Sequence, residues 1–320
     1  MKIIKKLGSG KNVKLFYFVN NLIYYYLPKF FFRMRLSGVL KGKYSKDPEV
    51  IERVNYYNKL SSKKELPKDS LILKDHKYKN KTYQSVYFFD SYEFTRWFSD
   101  GFKWSNAFGD VTYVPELPSI VKSRPIAGDN ENSVVLNLDK VRHFVFLDDK
   151  KKFTEKDNKV IFRGKISDKL RRREFVEMYI NHPMCDLGET SARGVTPKEW
   201  IKPKKTLWEH LDYKFIMALE GNDVASNLKW VMSSNSLAVM PEPTYETWFM
   251  EGKLIPNVHY VRIKDDYSDL EERLNFYIEN PDEAQKIIDN AHKYVSQFMN
   301  KKKERAISVM VMNKYFEMTN

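Results

Sequence analysis

Tyr213-Lys214-Phe215-Ile216-Met217-Ala218-Leu219-Glu220-Gly221-Asn222-Asp223-Val224-Ala225-Ser226-Asn227-Leu228-Lys229-Trp230-Val231-Met232 carries a strand, a turn and a helix in twenty residues. Its first seven residues are an apolar run that predicts a buried strand. Residues 220–223 are a polar turn around Gly221, and 224–232 predict a helix. An apolar strand that ends in a glycine turn and opens a helix presents backbone N–H groups to a phosphate. Upstream, Val160-Ile161-Phe162-Arg163-Gly164 ends a second short strand, and a basic helix over 169–180 follows it. Two strand ends of this kind in one half of a chain suggest a site for a diphosphate.

Working outward, strands are expected at 236–240 and 260–263, with helices at 245–251, 270–279, 280–299 and 306–316. Asn280-Pro281-Asp282-Glu283 is a strong helix start, with cap, proline and first-turn acids together. Strands alternating with helices predict α/β architecture with a parallel sheet. In the first half, helices are expected within 12–40 (broken near Pro28), at 47–60 and at 91–98. Short strands are expected at 70–73, 87–89, 134–136 and 144–146. Residues 148–158 are charged and poor in apolar side chains, which reads as a linker. The organisation expected is a basic aromatic arm over 1–46, a domain over 47–150, a second domain over 151–300, and a last helix over 301–320 returning to the first half.

The chain has 320 residues, 42% hydrophobic and 15% aromatic, enough for two packed cores. Cys185 is the single cysteine, so there is no internal disulfide and no cysteine metal motif, which fits a reducing, cytoplasmic setting. The net charge of +13 is unevenly placed. Eleven Lys or Arg and no acid precede Asp47, whereas the remainder holds 44 basic against 42 acidic residues. The arm also carries Phe16, Tyr17, Phe18, Tyr24, Tyr25, Tyr26, Phe30, Phe31 and Phe32. Cations among aromatics suit an anionic membrane surface, and packing of those rings onto the body is the alternative. The longest uncharged run, 15–28, is too short and polar to span a bilayer, and no signal-peptide cleavage pattern is present.

In ordered positions the sequence resembles glycosyltransferase family 90. The residues that carry the resemblance are Phe162-Arg163-Gly164, Tyr213-Lys214-Phe215, Glu220-Gly221-Asn222-Asp223-Val224-Ala225-Ser226 and Ser236-Leu237-Ala238-Val239. Tyr245-Glu246-Thr247-Trp248-Phe249, His259-Tyr260-Val261 and the helix start at Asn280 follow in the same order. Phe108-Gly109-Asp110-Val111 through Ser123-Arg124-Pro125-Ile126 is similar to the bacterial, lipopolysaccharide-modifying branch. The resemblance covers residues 100–300 well. It implies a GT-B fold of two facing Rossmann-like domains, a UDP-sugar donor, inversion at the anomeric carbon and no bound metal or other cofactor. The chain has no Asp-x-Asp, in keeping with that last point.

Without a metal, protein cations and N–H groups must neutralise the departing diphosphate. Arg163, with Gly164, follows a strand and offers a fork for phosphate oxygens; a structural salt bridge is its alternative. Arg171 is the choice among three consecutive arginines, against a solvated basic face. Gly221, Ala225, Ser226, Asn227 and Lys229 form the second phosphate element, with Asp223 capping the helix. Glu246 is a candidate acceptor for sugar or ribose hydroxyls. Asp110 is the candidate base that takes the acceptor proton, with Asp90 and Asp100 as alternatives. Ser123 and Arg124 are candidates for acceptor or phosphate contact. His143 and His259 read as structural.

The function implied is a hexosyltransferase that moves a hexose from UDP to an acceptor sugar of lipopolysaccharide or a related surface glycan. It would sit in the cytoplasm, peripherally on the inner face of the membrane through residues 1–46. The competing class is a non-catalytic basic adaptor for membrane or nucleic acid. A nucleic-acid module would carry a cationic stripe on its body, but here the body is close to neutral, so no nucleic acid partner is expected.

Overall fold

A computed structural model describes residues 8–78, 83–191 and 196–320. Lys2, Lys5 and Lys6 of the expected arm lie outside the described residues. Among the described residues, ten strands run in chain order: β1 Asn106–Ala107, β2 Ser119–Val121, β3 Arg124–Pro125, β4 Ser133–Val135, β5 Asp157–Gly164, β6 Cys185–Glu189, β7 Tyr213–Met217, β8 Leu237–Met240, β9 Tyr245–Glu246 and β10 Val261–Arg262. The principal helices are α1 Lys14–Tyr25, α2 Phe30–Leu40, α3 Pro48–Tyr57, α4 Ser85–Thr95, α5 Leu170–Tyr179, α6 Leu228–Met232, α7 Leu270–Glu279, α8 Pro281–Ser296 and α9 Lys301–Thr319. The chain divides into two compact units.

The sheet unit comprises residues 8–13, Arg142–Pro243 and Gly252–Gln297. Its five strands lie in the order β10-β8-β7-β5-β6, and every pair is parallel. Val160 pairs with Phe215, Phe215 with Leu237, and Met217 with Val239, which in turn pairs with Val261. With Phe162 these side chains form one buried face, against Phe175 and Val176 of α5, Leu270 and Leu274 of α7, and Ile287 and Ile288 of α8. Ile161, Ile216 and Ala238 alternate onto the other face and are buried too. Burial on both faces is why these strands read as continuous apolar runs.

The helix-rich unit comprises Lys14–Val141, Thr244–Glu251 and Phe298–Asn320. A three-stranded parallel sheet β1-β2-β4 and an antiparallel β3–β9 pair lie within it. Buried polar contacts tie its three chain segments together. Arg53 of α3 donates from Nη1 and Nη2 to the Glu304 carboxylate of α9 at 2.5 and 2.9 Å. Trp248 Nε1 donates to the same carboxylate at 2.5 Å, and its ring stacks on Tyr57 at 3.8 Å between centroids.

Several expectations need correction. The apolar run 87–89 is not a strand but the middle of α4, buried all round; a short apolar run does not distinguish the two by periodicity. Residues 245–251 are not a helix, because Tyr245 and Glu246 pair with Pro125 and Arg124 as β9. The expected strands at 70–73 and 144–146 are absent; Ile72 makes one isolated bridge to Lys103. Residues 148–158 fall inside the sheet unit, where buried Lys156 donates to Asp149 Oδ2 at 2.7 Å. The helix at 224–232 starts later, at Leu228, and the last helix starts earlier, at Lys301, where Asn300 caps it. The strand β6 has no counterpart in the sequence reading.

Candidate active site

Counted in order of appearance, the sheet order β6-β5-β7-β8-β10 is 2-1-3-4-5. The chain leaves β5 toward one edge and β7 toward the other. Such a reversal opens a crevice outside the carboxyl ends of the two central strands, the usual ligand position in an open α/β sheet. The two strand ends singled out in the sequence, Gly164 and Leu219, are the ones that meet there.

Arg172 joins the two ends. Its guanidinium donates to the carbonyl oxygens of Lys165 at 3.0 Å, Leu219 at 2.7 Å and Glu220 at 3.0 Å. Burial pushes the Arg172 pKa down, against the nearby carboxylates of Asp168, Glu189 and Asp223. Gly221 leaves room for this contact: a Cβ there would stand 2.9 Å from Arg172 Nη2, and the guanidinium would have to shift. Lys169 bonds the Asn222 side chain, and Arg171, 53% exposed, reaches Glu220 at 3.5 Å. Arg173 pairs with Glu177 on the outer surface. Of the three arginines, Arg172 therefore packs onto the strand ends while Arg171 stands at their rim.

Glu189, at the end of β6, shapes the loop after β5. Its carboxylate accepts from the backbone N–H of Ile166 at 2.7 Å, Ser167 at 3.0 Å and Ser191 at 2.8 Å. Burial raises its pKa, but those donors outweigh burial and hold it below the ordinary range. Arg163 faces β6: its guanidinium donates to Asp186 Oδ1 at 2.5 Å and to the Asp186 carbonyl at 2.7 Å. Tyr213 donates to the other Asp186 oxygen at 2.5 Å.

In the turn after β7, Asn227 Nδ2 donates to Met217 O at 2.8 Å and holds the turn against the strand. Ser226 is half-buried, Ala225 and Asp223 are buried, and Lys229 is fully enclosed. The first site assembled is thus a turn around Ser226 beside a rim of Lys165, Lys169 and Arg171, with Gly164 and Gly221 at the base.

The remaining candidates, the two histidines apart, lie in the helix-rich unit. Asp110 pairs with Lys122, whose side chain is 1% exposed against 24% for Asp110. Ser123 Oγ accepts from Val111 N at 3.2 Å and donates to Val111 O at 3.1 Å, fixing the loop that carries Asp110. Arg124 is fully buried. It donates to Glu246 at 2.8 Å and to the carbonyls of Tyr56 and Ser133 at 2.7 and 3.0 Å. Tyr56 also bonds Glu246. Burial, then the Glu246 charge, raises the Tyr56 pKa strongly. The structure therefore brings Asp110 and Ser123 together, and separately joins Arg124 to Glu246. Asp90 is buried against Tyr17 at 2.7 Å, and Asp100 pairs with Lys29 and Arg33. In the sheet unit, His143 is buried and His259 accepts from Ile255 N at 2.9 Å.

Sequence reasoning passed over Arg172, Glu189, Lys122 and Tyr56. The signal for Arg172 was present in the glycine at 221, which leaves room for a guanidinium. Among the described residues, no three His, Cys, Asp or Glu side chains come together as a metal-ligand group.

Residues 137–320 match the family described as Glycosyl transferase family 90. That region holds both strand-end loops and leaves Asp110, Ser123 and Arg124 outside it. O-glucosyltransferase LpsA of Dichelobacter nodosus is 44% identical over 269 residues, 84% of this chain and 83% of that protein. Protein O-glucosyltransferase 3 of Rattus norvegicus is 32% identical over 136 residues, 41% of this chain and 26% of the relative. Its Homo sapiens counterpart is 29% identical over 167 residues, 51% of this chain and 32% of the relative.

Proposed function

Because the chain belongs to glycosyltransferase family 90, and is a glycosyltransferase, we propose that it moves a hexose from a UDP-sugar to a sugar hydroxyl of lipopolysaccharide or a related surface glycan. Glucose is the hexose that the names of its relatives favour. A GT-B type of two Rossmann-like domains goes with this reading, as does a cytoplasmic location on the inner face of the membrane. The observation that carries it is the meeting of the β5 and β7 loops at the switch point of a parallel sheet, with Lys165, Lys169 and Arg171 along their rim.

The diphosphate is assigned to these loops. Ala225 and Ser226 offer backbone N–H groups, Ser226 a hydroxyl, and Arg171 positive charge; Lys229, fully enclosed, is not open to a ligand. Arg163, bonded to Asp186, shapes the strand end from the β6 side. In an inverting transfer the acceptor oxygen forms its bond to the anomeric carbon while the bond to UDP breaks. The electron pair of that bond leaves on the diphosphate, and the acceptor proton goes to a base, for which Asp110 is the candidate. Fixed protein cations and dipoles take the role of a divalent ion in this reading.

The test is release of UDP from UDP-glucose and other UDP-hexoses, with truncated lipopolysaccharides as acceptors and a chelator present. Acceptor-dependent release from UDP-glucose is expected. Release that needs no acceptor would indicate a hydrolase, and activity restored only by a divalent cation would end the metal-free reading.

A further inference from the structure

Helix α1 is apolar on two opposite faces. Tyr17, Phe18, Leu22 and Tyr25 pack against Phe88, Phe89 and Tyr92 of α4. Leu15, Phe16, Val19 and Ile23 fall on the other side, where the 3.6-residue repeat places i, i+1, i+4 and i+8 together, and all four are exposed. Helix α2 repeats the arrangement. Phe32 packs edge-on against Trp97 and Arg33 reaches Asp100, while Phe30, Phe31 and Met34 stand outward, each more than half exposed. Ten exposed large apolar side chains fall within residues 15–34, and eleven more are spread over the rest of the described chain. An apolar concentration of this kind marks an interaction surface.

The charge around it selects the occupant. Lys14, Arg35, Lys41, Lys43 and Lys46 are exposed on or just beyond the two helices, and no acid precedes Asp47. A second copy of this chain seated on the same face would oppose these like charges. A bilayer of anionic lipid accepts both features, taking aromatic rings at headgroup depth and cations at the phosphate layer. At 12 and 11 residues, the helices are too short to cross a bilayer.

We propose that the outward faces of α1 and α2 form a membrane-docking surface that lies on anionic phospholipid without spanning it. The inference deepens the peripheral location proposed above. It rests on this surface alone, and its test involves no catalysis, so its failure leaves the donor assignment standing.

The test is flotation of the full chain with phosphatidylcholine vesicles, with or without phosphatidylglycerol, over a range of salt. The protein is expected to float with the anionic vesicles and to be released as salt rises. Arg35→Ala with Lys41→Ala should lower partitioning about 25-fold, at about fivefold per cation. Ile23→Ser with Phe31→Ser should lower it at least about tenfold, with an unchanged melting temperature because both side chains are exposed. The proposal is overturned if the wild type ignores anionic vesicles or if the serine variant floats as the wild type does. Light scattering that shows a dimer, which the serine variant turns into a monomer, would assign the face to a second copy instead.

Discussion

An aspartate replaced by asparagine at residue 110 keeps its shape and loses its basicity. Asp110→Asn should lower transfer by about 10²- to 10⁴-fold while calorimetry finds UDP affinity unchanged; normal turnover would remove Asp110 as the base. Asp90 gives a different test. Burial, the leading cause, raises its pKa to about 6 in spite of Lys140 and the Tyr17 hydroxyl. A carboxyl whose folded pKa is raised contributes stability below its ordinary value near pH 4, and that contribution is lost as the pH climbs through about 6. Asp90→Asn should therefore compare better with the wild type at about pH 7.5 than at about pH 4.5. Melting temperatures at the two pH values check this, and a difference of the opposite sign would contradict it. At this scale the sequence was only partly legible. Gly221 is legible as the turn that closes the apolar run of β7, and it lies against Arg172. Three consecutive arginines hid which of them turns inward, and Lys122 looked like any lysine until its pairing with Asp110 was seen.

Among elements, the sheet was legible where burial is two-sided. Val160-Ile161-Phe162 and Phe215-Ile216-Met217 are apolar without a break because both faces are covered. Strand β6 is not legible because Cys185-Asp186-Leu187-Gly188-Glu189 is a short edge strand whose apolar run is broken by Asp186, Gly188 and Glu189. Helix α4 was mistaken for a strand in part because it too is buried on every side. Strand β9 depends on Arg124, more than a hundred residues away, which no local pattern records. The Arg53–Glu304 pair links α3 to α9 in the same non-local way, with Trp248 as a third partner. Removing one member of a buried pair leaves an uncompensated charge. Glu304→Ala should therefore cost about 3–5 kcal/mol. Urea unfolding measures this, and a loss under about 1 kcal/mol would show that the pair is not what holds these segments.

For the whole molecule, composition separated a cationic segment before Asp47 from a nearly neutral remainder, and the structure resolves the described part of that segment into two helices with exposed apolar faces. The family was legible because its residues recur in order over about two hundred positions, each motif being weak alone. The boundaries of the two units were not, since each is assembled from separate chain segments. In the proposed function, everything turns on the loops after β5 and β7 holding the diphosphate of the donor. A crystal structure of the UDP complex, grown with a chelator, tests it most directly. Phosphate oxygens are expected within about 3 Å of the Ala225 or Ser226 N–H, beside the Arg171 rim. A diphosphate seated away from both loops, or a nucleotide that binds only once a divalent cation is restored, would contradict it.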